Sequence, residues 1–254
     1  MHYPALGGDA RGAILYVHPF AEEMNKSRRM AALQAQVFCK AGFEVLQIDL
    51  LGCGDSSGDF GDAGWQNWID DIQFGYDWIR QRTKQAITLW GLRTGCLLAV
   101  EAAKVLPEKV NLLLWQPSFS GKQYLTQFIR LKVASEIASG QAKGVAEALR
   151  QQLSAGEKIE VAGYVVAPAL AQGLESAEMQ LDTLAVGNIA LLELTTRGSV
   201  ELSPIAQRKV VDWQSLGWQV NSQVVQGPAF WQTAEIEDAP NLLAASLAAV
   251  ESWQ

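Results

Sequence analysis

The most informative shortage in this 254-residue sequence is that of histidine, which occurs only at positions 2 and 18. Histidine is the side chain that most often moves protons at neutral pH, so a reaction that depends on one must use His2 or His18. Cysteine is also scarce, with Cys39, Cys53 and Cys96 as the three residues and no metal-ligand spacing among them. This odd number argues against a disulfide framework or a zinc site, and it favours a reducing compartment.

Positive charge and long apolar runs are lacking as well. The chain has 20 Lys and Arg residues against 27 Asp and Glu residues, a net charge of −7, and its one dense basic cluster is Lys26, Arg28 and Arg29. We therefore expect no nucleic-acid binding, which needs a basic face. No uninterrupted apolar run reaches the roughly 18–20 residues of a membrane span, and no leader pattern opens the chain. These features predict a soluble cytoplasmic protein, and nothing in them indicates a cofactor or a metal site.

The sequence does contain a regular alternation of apolar strands and amphipathic helices. Residues 12–18, 44–50, 86–90 and 110–115 have the apolar character of buried strands, and helical patterns separate them. Such alternation predicts an α/β fold with a mostly parallel central sheet flanked by helices. Ser27 is expected to cap the first helix, so that residues 18–26 form a loop.

The alternation stops after Gln116 and Pro117. Beyond them we predict helices at 123–139 and 143–153 and after Pro168, a short β-like piece at 158–166, strands at 188–195 and 219–225, and helices at 203–217 and 240–253. The domain prediction is therefore a core made of residues 1–117 and 186–254, with a helical cap inserted at 118–185.

One stretch, Leu89-Trp-Gly91-Leu-Arg93-Thr-Gly95, joins a strand to a helix of small residues through a tight Gly-x-x-x-Gly turn. This is the layout of a nucleophile elbow, whose middle residue points into the active site at the positive end of the helix. The middle residue here is Arg93. Its guanidinium stays protonated, so it cannot act as a nucleophile.

The elbow, the loop Asp49-Leu-Leu-Gly52-Cys-Gly54-Asp-Ser56 and an insertion after the following strand together resemble the α/β-hydrolase superfamily. More narrowly, the chain resembles the subfamily of exosortase A system-associated hydrolase 2 in the stretch from His18 to Met30 (HPFAEEMNKSRRM), in Trp115-Gln-Pro117, in Ser120-Gly-Lys122 and in Phe128-x-Arg130. The resemblance implies the α/β-hydrolase fold and a bacterial protein from an exopolysaccharide and protein-sorting gene cluster. It does not define a substrate.

The chemistry implied by this resemblance needs a Ser, an acid and a His in that chain order. The acid would follow the strand that ends at Thr195, where Glu193 is the nearest carboxylate and Glu201 lies further on. The histidine would lie in the loop at 226–235, which contains none. With Arg93 on the elbow, the sequence lacks the Ser-His-Asp triad, and we do not expect an acyl-enzyme mechanism.

The residues expected near the elbow that could do chemistry instead are His18, Glu22, Glu23, Arg93 and Thr94. His18 could act as a general base or hydrogen-bond donor, or it could only hold the loop around Pro19. Glu22 or Glu23 could activate water, or could form an ion pair with Arg93 or with the arginines at 28 and 29, because a buried guanidinium needs a carboxylate nearby.

The elbow residues themselves have alternative interpretations. Arg93 could receive the carboxylate or phosphate of an anionic carbohydrate or a lipid, since it lies at a helix N-terminus. Thr94 could be a displaced nucleophile or the cap of the helix that follows. Cys53 and Cys96 could be thiolate nucleophiles, although Cys96 is better explained as a core residue.

Further residues are expected to line a binding site: Phe20, Asn25, Lys26, Arg28, Trp115, Trp231 and Glu235. The expected ligand is a small molecule or an acylated or anionic carbohydrate-related substrate, and either a homodimer or a partner protein is compatible with the sequence. We predict a hydrolase or acyltransferase acting on esters or thioesters, linked to exopolysaccharide and exosortase systems. The alternatives are a catalytically inactive binding or scaffold protein whose elbow arginine is ion-paired or holds an anion, and a protein–protein component that uses the cap as its contact surface.

Overall fold

The computed structural model describes residues 1–137, 143–198 and 201–253. The strands are β1 (His2–Tyr3), β2 (Gly12–Val17), β3 (Phe43–Gln47), β4 (Ile87–Leu92), β5 (Asn111–Trp115), β6 (Ile159–Val161), β7 (Tyr164–Val166), β8 (Asn188–Thr195) and β9 (Gln219–Gln226). The helices are α1 (Glu22–Lys40), α2 (Trp65–Arg80), α3 (Thr94–Ala103), α4 (Gly121–Ile137), α5 (Val145–Ser154), α6 (Pro168–Ser176), α7 (Pro204–Ser215) and α8 (Pro240–Glu251). The end of the helix predicted at 123–139 lies outside the described residues.

The main sheet has seven strands in the order β1-β3-β2-β4-β5-β8-β9. All neighbouring pairs are parallel except β1 with β3, where His2 lies opposite Leu46. The central strand β4 and its neighbour β2 are each buried at all six positions, as parallel strands with both faces covered must be. The predicted fold class is thereby confirmed. Because the strands are parallel, the carboxyl ends of β2, β4 and β5 lie side by side at one edge of the sheet.

The chain divides into two compact units. The first consists of Met1–Ile48, Gln73–Phe119 and Met179–Gln254 and contains the main sheet; the second consists of Asp49–Ile72 and Ser120–Glu178 and contains the β6–β7 hairpin. The sequence did not indicate that the loop beginning at Asp49 would group with the inserted helices. The cap bounds at 118 and 185 stay a prediction.

The core of the first unit is aromatic where the strands approach their carboxyl ends. The Trp90 ring lies 4.4 Å from that of Tyr16 on β2 and 4.6 Å from that of Trp115 on β5, measured between ring centres. Trp90 and Trp115 are fully buried, and the Nε1 of Trp115 donates to Ser246 Oγ at 2.8 Å. These bulky rings fix the ends of three neighbouring strands, from which the residues described below project.

The first helix begins earlier than predicted. Helix α1 starts at Glu22, with Ala21 as its N-cap, so residues 22–26 are helical rather than a loop. Ser27 is not the cap; it is buried within the helix and its Oγ donates to the Met24 carbonyl. Two glutamates in the first turn favour this start, because negative side chains are stabilised by the positive end of the helix.

Candidate functional site

The elbow has the backbone that its glycines predict. Arg93 has φ 55° and ψ −117° and is the N-cap of α3. A Cβ at Gly91 would lie 2.6 Å from Cys96 Cα, and one at Gly95 would lie 2.2 Å from the Val17 carbonyl oxygen. Only glycine fits where helix and strand backbones approach so closely. A non-glycine residue in this conformation costs roughly 1–3 kcal/mol, so the fold keeps Arg93 strained.

Strain is concentrated beside the elbow. Of the non-glycine residues in the described part of the chain, Ala21, Arg93, Gln116 and Ala162 have positive φ, at 52°, 55°, 41° and 51°. The first three follow β2, β4 and β5, which are adjacent in the sheet. Strained backbone clusters at functional sites, because elsewhere selection for stability removes it. Nothing in the sequence marked Ala21 or Gln116, since both are residues that usually adopt ordinary conformations.

The Arg93 side chain lies among a carboxylate, a carbonyl and an indole. Its Nε donates to Glu23 Oε1 at 3.4 Å, and its Nη1 donates to the Gln116 carbonyl at 3.4 Å. The guanidinium carbon is 5.6 Å from the centre of the Trp231 ring, a cation–π distance. The side chains of Arg93 and Glu23 are 19% and 17% exposed, so this ion pair is largely shielded from solvent.

The two neighbouring glutamates have different environments. Glu23 faces Arg93, whereas Glu22 is exposed and accepts a hydrogen bond from Asn25 Nδ2 at 3.3 Å. The difference follows from the helical phase: consecutive residues on a helix point about 100° apart. A loop at residues 18–26, as predicted from the sequence, has no fixed rotational phase. It would not have determined which of the two glutamates faces Arg93.

Thr94 is the first residue of α3 and is buried, at 1% exposure. Its Oγ1 accepts a hydrogen bond from the Phe20 backbone N–H at 2.9 Å. The loop after β2 and the residue after the elbow are the positions at which this kind of fold supplies oxyanion-hole donors. The Phe20 N–H therefore already has an acceptor inside the protein.

His18 is 3% exposed, and its Nδ1 lies 2.8 Å from the Pro19 carbonyl oxygen. A carbonyl can only accept, so Nδ1 carries the proton in the neutral ring and Nε2 is the acceptor nitrogen. This contact fixes the turn at Pro19, and it also sets the tautomer that a general base would use.

The position of the triad acid is occupied by Glu193 near the end of β8, 6% exposed. Its Oε2 accepts from the Ser203 backbone N–H at 2.7 Å, and its Oε1 accepts from Ser203 Oγ at 2.6 Å. Ser203 is the N-cap of α7. Both carboxylate oxygens are thus used to fix the start of a helix.

The loop in which a triad histidine would lie is held against α1. Lys26 Nζ donates to the Thr233 carbonyl at 2.9 Å, and Arg29 forms a bidentate pair with Asp238 at 2.7 and 2.8 Å. The hydrogen bond from Arg29 lowers the pKa of Asp238 below its ordinary value. Trp231 in this loop is buried, and its ring lies 5.1 Å from that of Phe230.

The remaining predicted residues are more dispersed. Phe20 is buried beside Thr94, whereas Asn25, Arg28 and Glu235 have exposed side chains. Trp115, expected in a pocket wall, is enclosed in the core because the sheet is covered on both faces.

The cysteines give no support to a thiolate nucleophile. Burial raises the pKa of the Cys96 thiol well above its ordinary value, while the charge of Arg93 only partly offsets that effect. Cys53 is likewise buried, within the second unit.

Within the described residues, no group of three or more His, Cys, Asp or Glu side chains could hold a metal ion. No helix among them is long and apolar enough to cross a membrane.

Solved structures share this architecture. Est1E from Butyrivibrio proteoclasticus with bound ferulic acid superposes with a TM-score of 0.65 at 13% identity, over 100% of this chain and 94% of that one. DcsB in complex with a substrate analogue gives 0.63 at 16% identity, over 99% and 93%. The lipolytic enzymes LipS and LipT give 0.62 at 16% identity, over 98% and 96%. At these identities the likeness establishes the fold alone.

Comparison with sequence relatives and a family model identifies the family within this fold. Protein ABHD12B of Homo sapiens is 35% identical over 108 residues, which is 42% of this chain and 28% of that protein. The thermostable monoacylglycerol lipase of Bacillus sp. (strain H-257) is 28% identical over 113 residues, 42% of this chain and 43% of that protein. The matches thus span less than half the length of either relative. A family model described as serine aminopeptidase, S33, matches residues 8–181. The chain belongs to this S33 family of α/β hydrolases.

Proposed function

We propose that this protein is a catalytically silent member of its family, which binds an anionic ligand at the elbow instead of cleaving an ester. The observation that carries the proposal is Arg93, a permanently charged side chain at the nucleophile position, paired with Glu23 and lying over Trp231. An arginine cannot form an acyl-enzyme.

The residues around the elbow support the loss of acyl transfer rather than its transfer to another nucleophile. Transition-state stabilisation needs donors that are free to meet a developing oxyanion, and the Phe20 N–H already bonds to Thr94. The acid position is engaged as well, since Glu193 accepts two hydrogen bonds from Ser203. The Phe20 N–H and the Glu193 carboxylate thus both have a structural use.

Ligand binding accounts for features that a purely structural role does not. Within the described residues, Arg93 donates two hydrogen bonds, both 3.4 Å long, although a guanidinium carries five N–H groups. Donors that remain available in a fixed fork suit a carboxylate or a phosphate. The strain at Ala21, Arg93 and Gln116 is also consistent with a backbone selected for binding.

The cellular setting of the proposal comes from the resemblance in the stretch from His18 to Met30 and at Trp115-Gln-Pro117. We propose a bacterial, cytoplasmic protein that serves an exopolysaccharide and exosortase system. A uronic-acid sugar or a sugar phosphate, both anionic carbohydrates, would fit an arginine beside an indole, because sugar rings present apolar faces and the acid meets the guanidinium.

A second candidate function is hydrolysis by a route without a triad. The observation favouring it is the tautomer of His18, whose Nδ1 is held by the Pro19 carbonyl so that Nε2 can accept a proton. In that scheme His18 activates water directly, and Arg93 stabilises the developing negative charge.

One experiment separates the two. Purified wild type, His18→Ala and Arg93→Ala are assayed against p-nitrophenyl butyrate and an acyl thioester, and the binding of glucuronate and inorganic phosphate is measured by calorimetry. Binding without turnover, weakened about ten-fold or more in Arg93→Ala, is expected from the loss of a charge-assisted hydrogen bond. Arg208→Ala, which removes an arginine on α7, is the matched control and should bind as wild type does. Turnover that disappears in His18→Ala would overturn the proposal in favour of the second candidate.

A further inference from the structure

Strand β9 forms one edge of the main sheet and differs from a well-protected edge. It spans eight residues, Gln219-Val-Asn-Ser-Gln-Val-Val-Gln226, and pairs with β8 on one side. It carries no charged residue and no proline, the devices that commonly prevent an edge from pairing with another chain. Most of its side chains are exposed or only partly buried.

The direction of its backbone groups follows from two hydrogen bonds. The Gln219 N–H donates to the Gly187 carbonyl at 3.2 Å, and the Gly227 N–H donates to the Thr195 carbonyl at 3.0 Å. Because backbone groups alternate along a strand, odd-numbered residues here point their N–H groups toward β8. Val220, Ser222 and Val224 therefore direct their N–H and C=O groups outward, away from the sheet.

We infer that two copies of this chain associate by antiparallel pairing of their β9 strands around a two-fold axis at Ser222. Outward-pointing residues must face each other, and a register centred on Ser222 is the one that pairs all three: Ser222 with its own copy and Val220 with Val224. This register forms about six hydrogen bonds between the copies. It brings Val220 to Val224 on one face and Asn221 to Gln223 on the other, so apolar meets apolar and amide meets amide.

The surroundings of the strand favour a second copy as the occupant. A groove of about 500 Å³ lies at mid-strand, lined by Ser222, Gln223 and Val224 together with Gln207 of α7 and by Glu201 and Leu202, which precede that helix. One turn beyond Gln207 on α7 is Val211, whose 65% exposure is unusual for a large apolar residue. Pairing two β9 strands also brings two α7 helices together, and this would bury Val211 against its counterpart. The result is a continuous sheet of fourteen strands, seven from each copy.

The first test uses charge at the axis. The wild type should have about twice the 27.7 kDa mass of one chain in sedimentation equilibrium at tens of micromolar. Ser222→Lys and Ser222→Glu each place two like charges opposite one another, so each should raise the dimer dissociation constant at least ten-fold. An equimolar mixture of the two should regain the dimer mass, because Lys then faces Glu. Gln36→Lys is the control: Gln36 is exposed on α1, which packs against β1 and β3 at the other edge of the sheet, so this variant should remain dimeric.

A second variant tests the β9 pairing if Ser222→Lys and Ser222→Glu do not fold. Ser222→Cys should give a disulfide-linked dimer under mild oxidation, because Cα atoms of a hydrogen-bonded antiparallel pair lie about 5.5 Å apart, within disulfide range. The native cysteines are buried, so they do not compete. Gln36→Cys, at the other edge of the sheet, should not cross-link. A monomeric wild type, a dimer insensitive to charge at 222, or equal cross-linking of both cysteine variants would overturn the inference.

Discussion

The contact between Glu23 and Arg93 gives a stability prediction whose size follows from its geometry. At 3.4 Å and an effective dielectric constant of about 20, the gross attraction is about 5 kcal/mol, most of which desolvation offsets. Exposed pairs contribute about 0–1 kcal/mol, whereas breaking a buried pair costs about 3–5 kcal/mol. With side chains 19% and 17% exposed, this pair lies between those limits. We expect Glu23→Gln to lower the free energy of unfolding by about 2 kcal/mol, which is a fall in Tm of roughly 4–8 °C.

A double-mutant cycle isolates the pair. Glu23→Gln, Arg93→Met and the double variant are unfolded in urea, and the coupling energy between the two sites should be about 1–2 kcal/mol. Glu22→Gln is the control, because it removes a charge from the same first turn of α1 and therefore changes the helix-dipole term equally. A coupling below about 0.3 kcal/mol, or equal losses for Glu22→Gln and Glu23→Gln, would refute the reasoning.

Three further predictions concern the surroundings of the site. Ala21→Gly relieves a residue at φ 52° and should change stability by less than about 1 kcal/mol, whereas the control Ala35→Gly, inside the same helix, should cost about 1 kcal/mol or more in chemical denaturation. Burial raises the pKa of Cys96 above its ordinary 9.0, so the folded state keeps the thiol neutral and this contribution to stability is full below pH 9 and is lost as the pH rises further. The Tm of the wild type should therefore fall at alkaline pH, and Cys96→Ala should make that fall smaller when Tm is measured as a function of pH. Ser203→Ala removes the α7 cap and a donor to buried Glu193, and it should cost about 1–2 kcal/mol in urea unfolding.

The elbow could be predicted from sequence because its requirements are local. Gly91 and Gly95 are needed wherever a strand turns into a helix at such close range, and both glycines are visible in the chain. The apolar strands were equally visible, because a parallel sheet covered on both faces needs continuous apolar runs. The order of the strands was not visible in this way, because alternation alone does not require β3 to lie on the far side of β2 and leave β2, β4 and β5 adjacent.

The start of α1 could not be predicted in this way. Its N-cap is Ala21, which caps through an unusual backbone conformation and not through a side-chain hydrogen bond, so no Ser, Thr, Asn or Asp marked it. Without the first residue of the helix, the rotational phase of α1 was unknown. The sequence therefore could not show that Glu23, and not Glu22, contacts Arg93. Trp115 shows a similar limit of sequence-based prediction in a strand. It was expected in a pocket wall but is buried in the core, and an apolar run does not reveal which of these its last ring does.

The attachment of the 227–238 loop to α1 has a consequence for the speed of binding. Lys26 and Arg29 hold the loop at Thr233 and Asp238, and Trp231 is already packed over Arg93. The conformational entropy of ordering this segment is therefore lost during folding and not during association. We expect a single fast phase in stopped-flow tryptophan fluorescence, with an observed rate that rises linearly with ligand concentration. In the proposed binding role no free energy is lost to ordering this loop on association, and differences in affinity between ligands should come mainly from their dissociation rates.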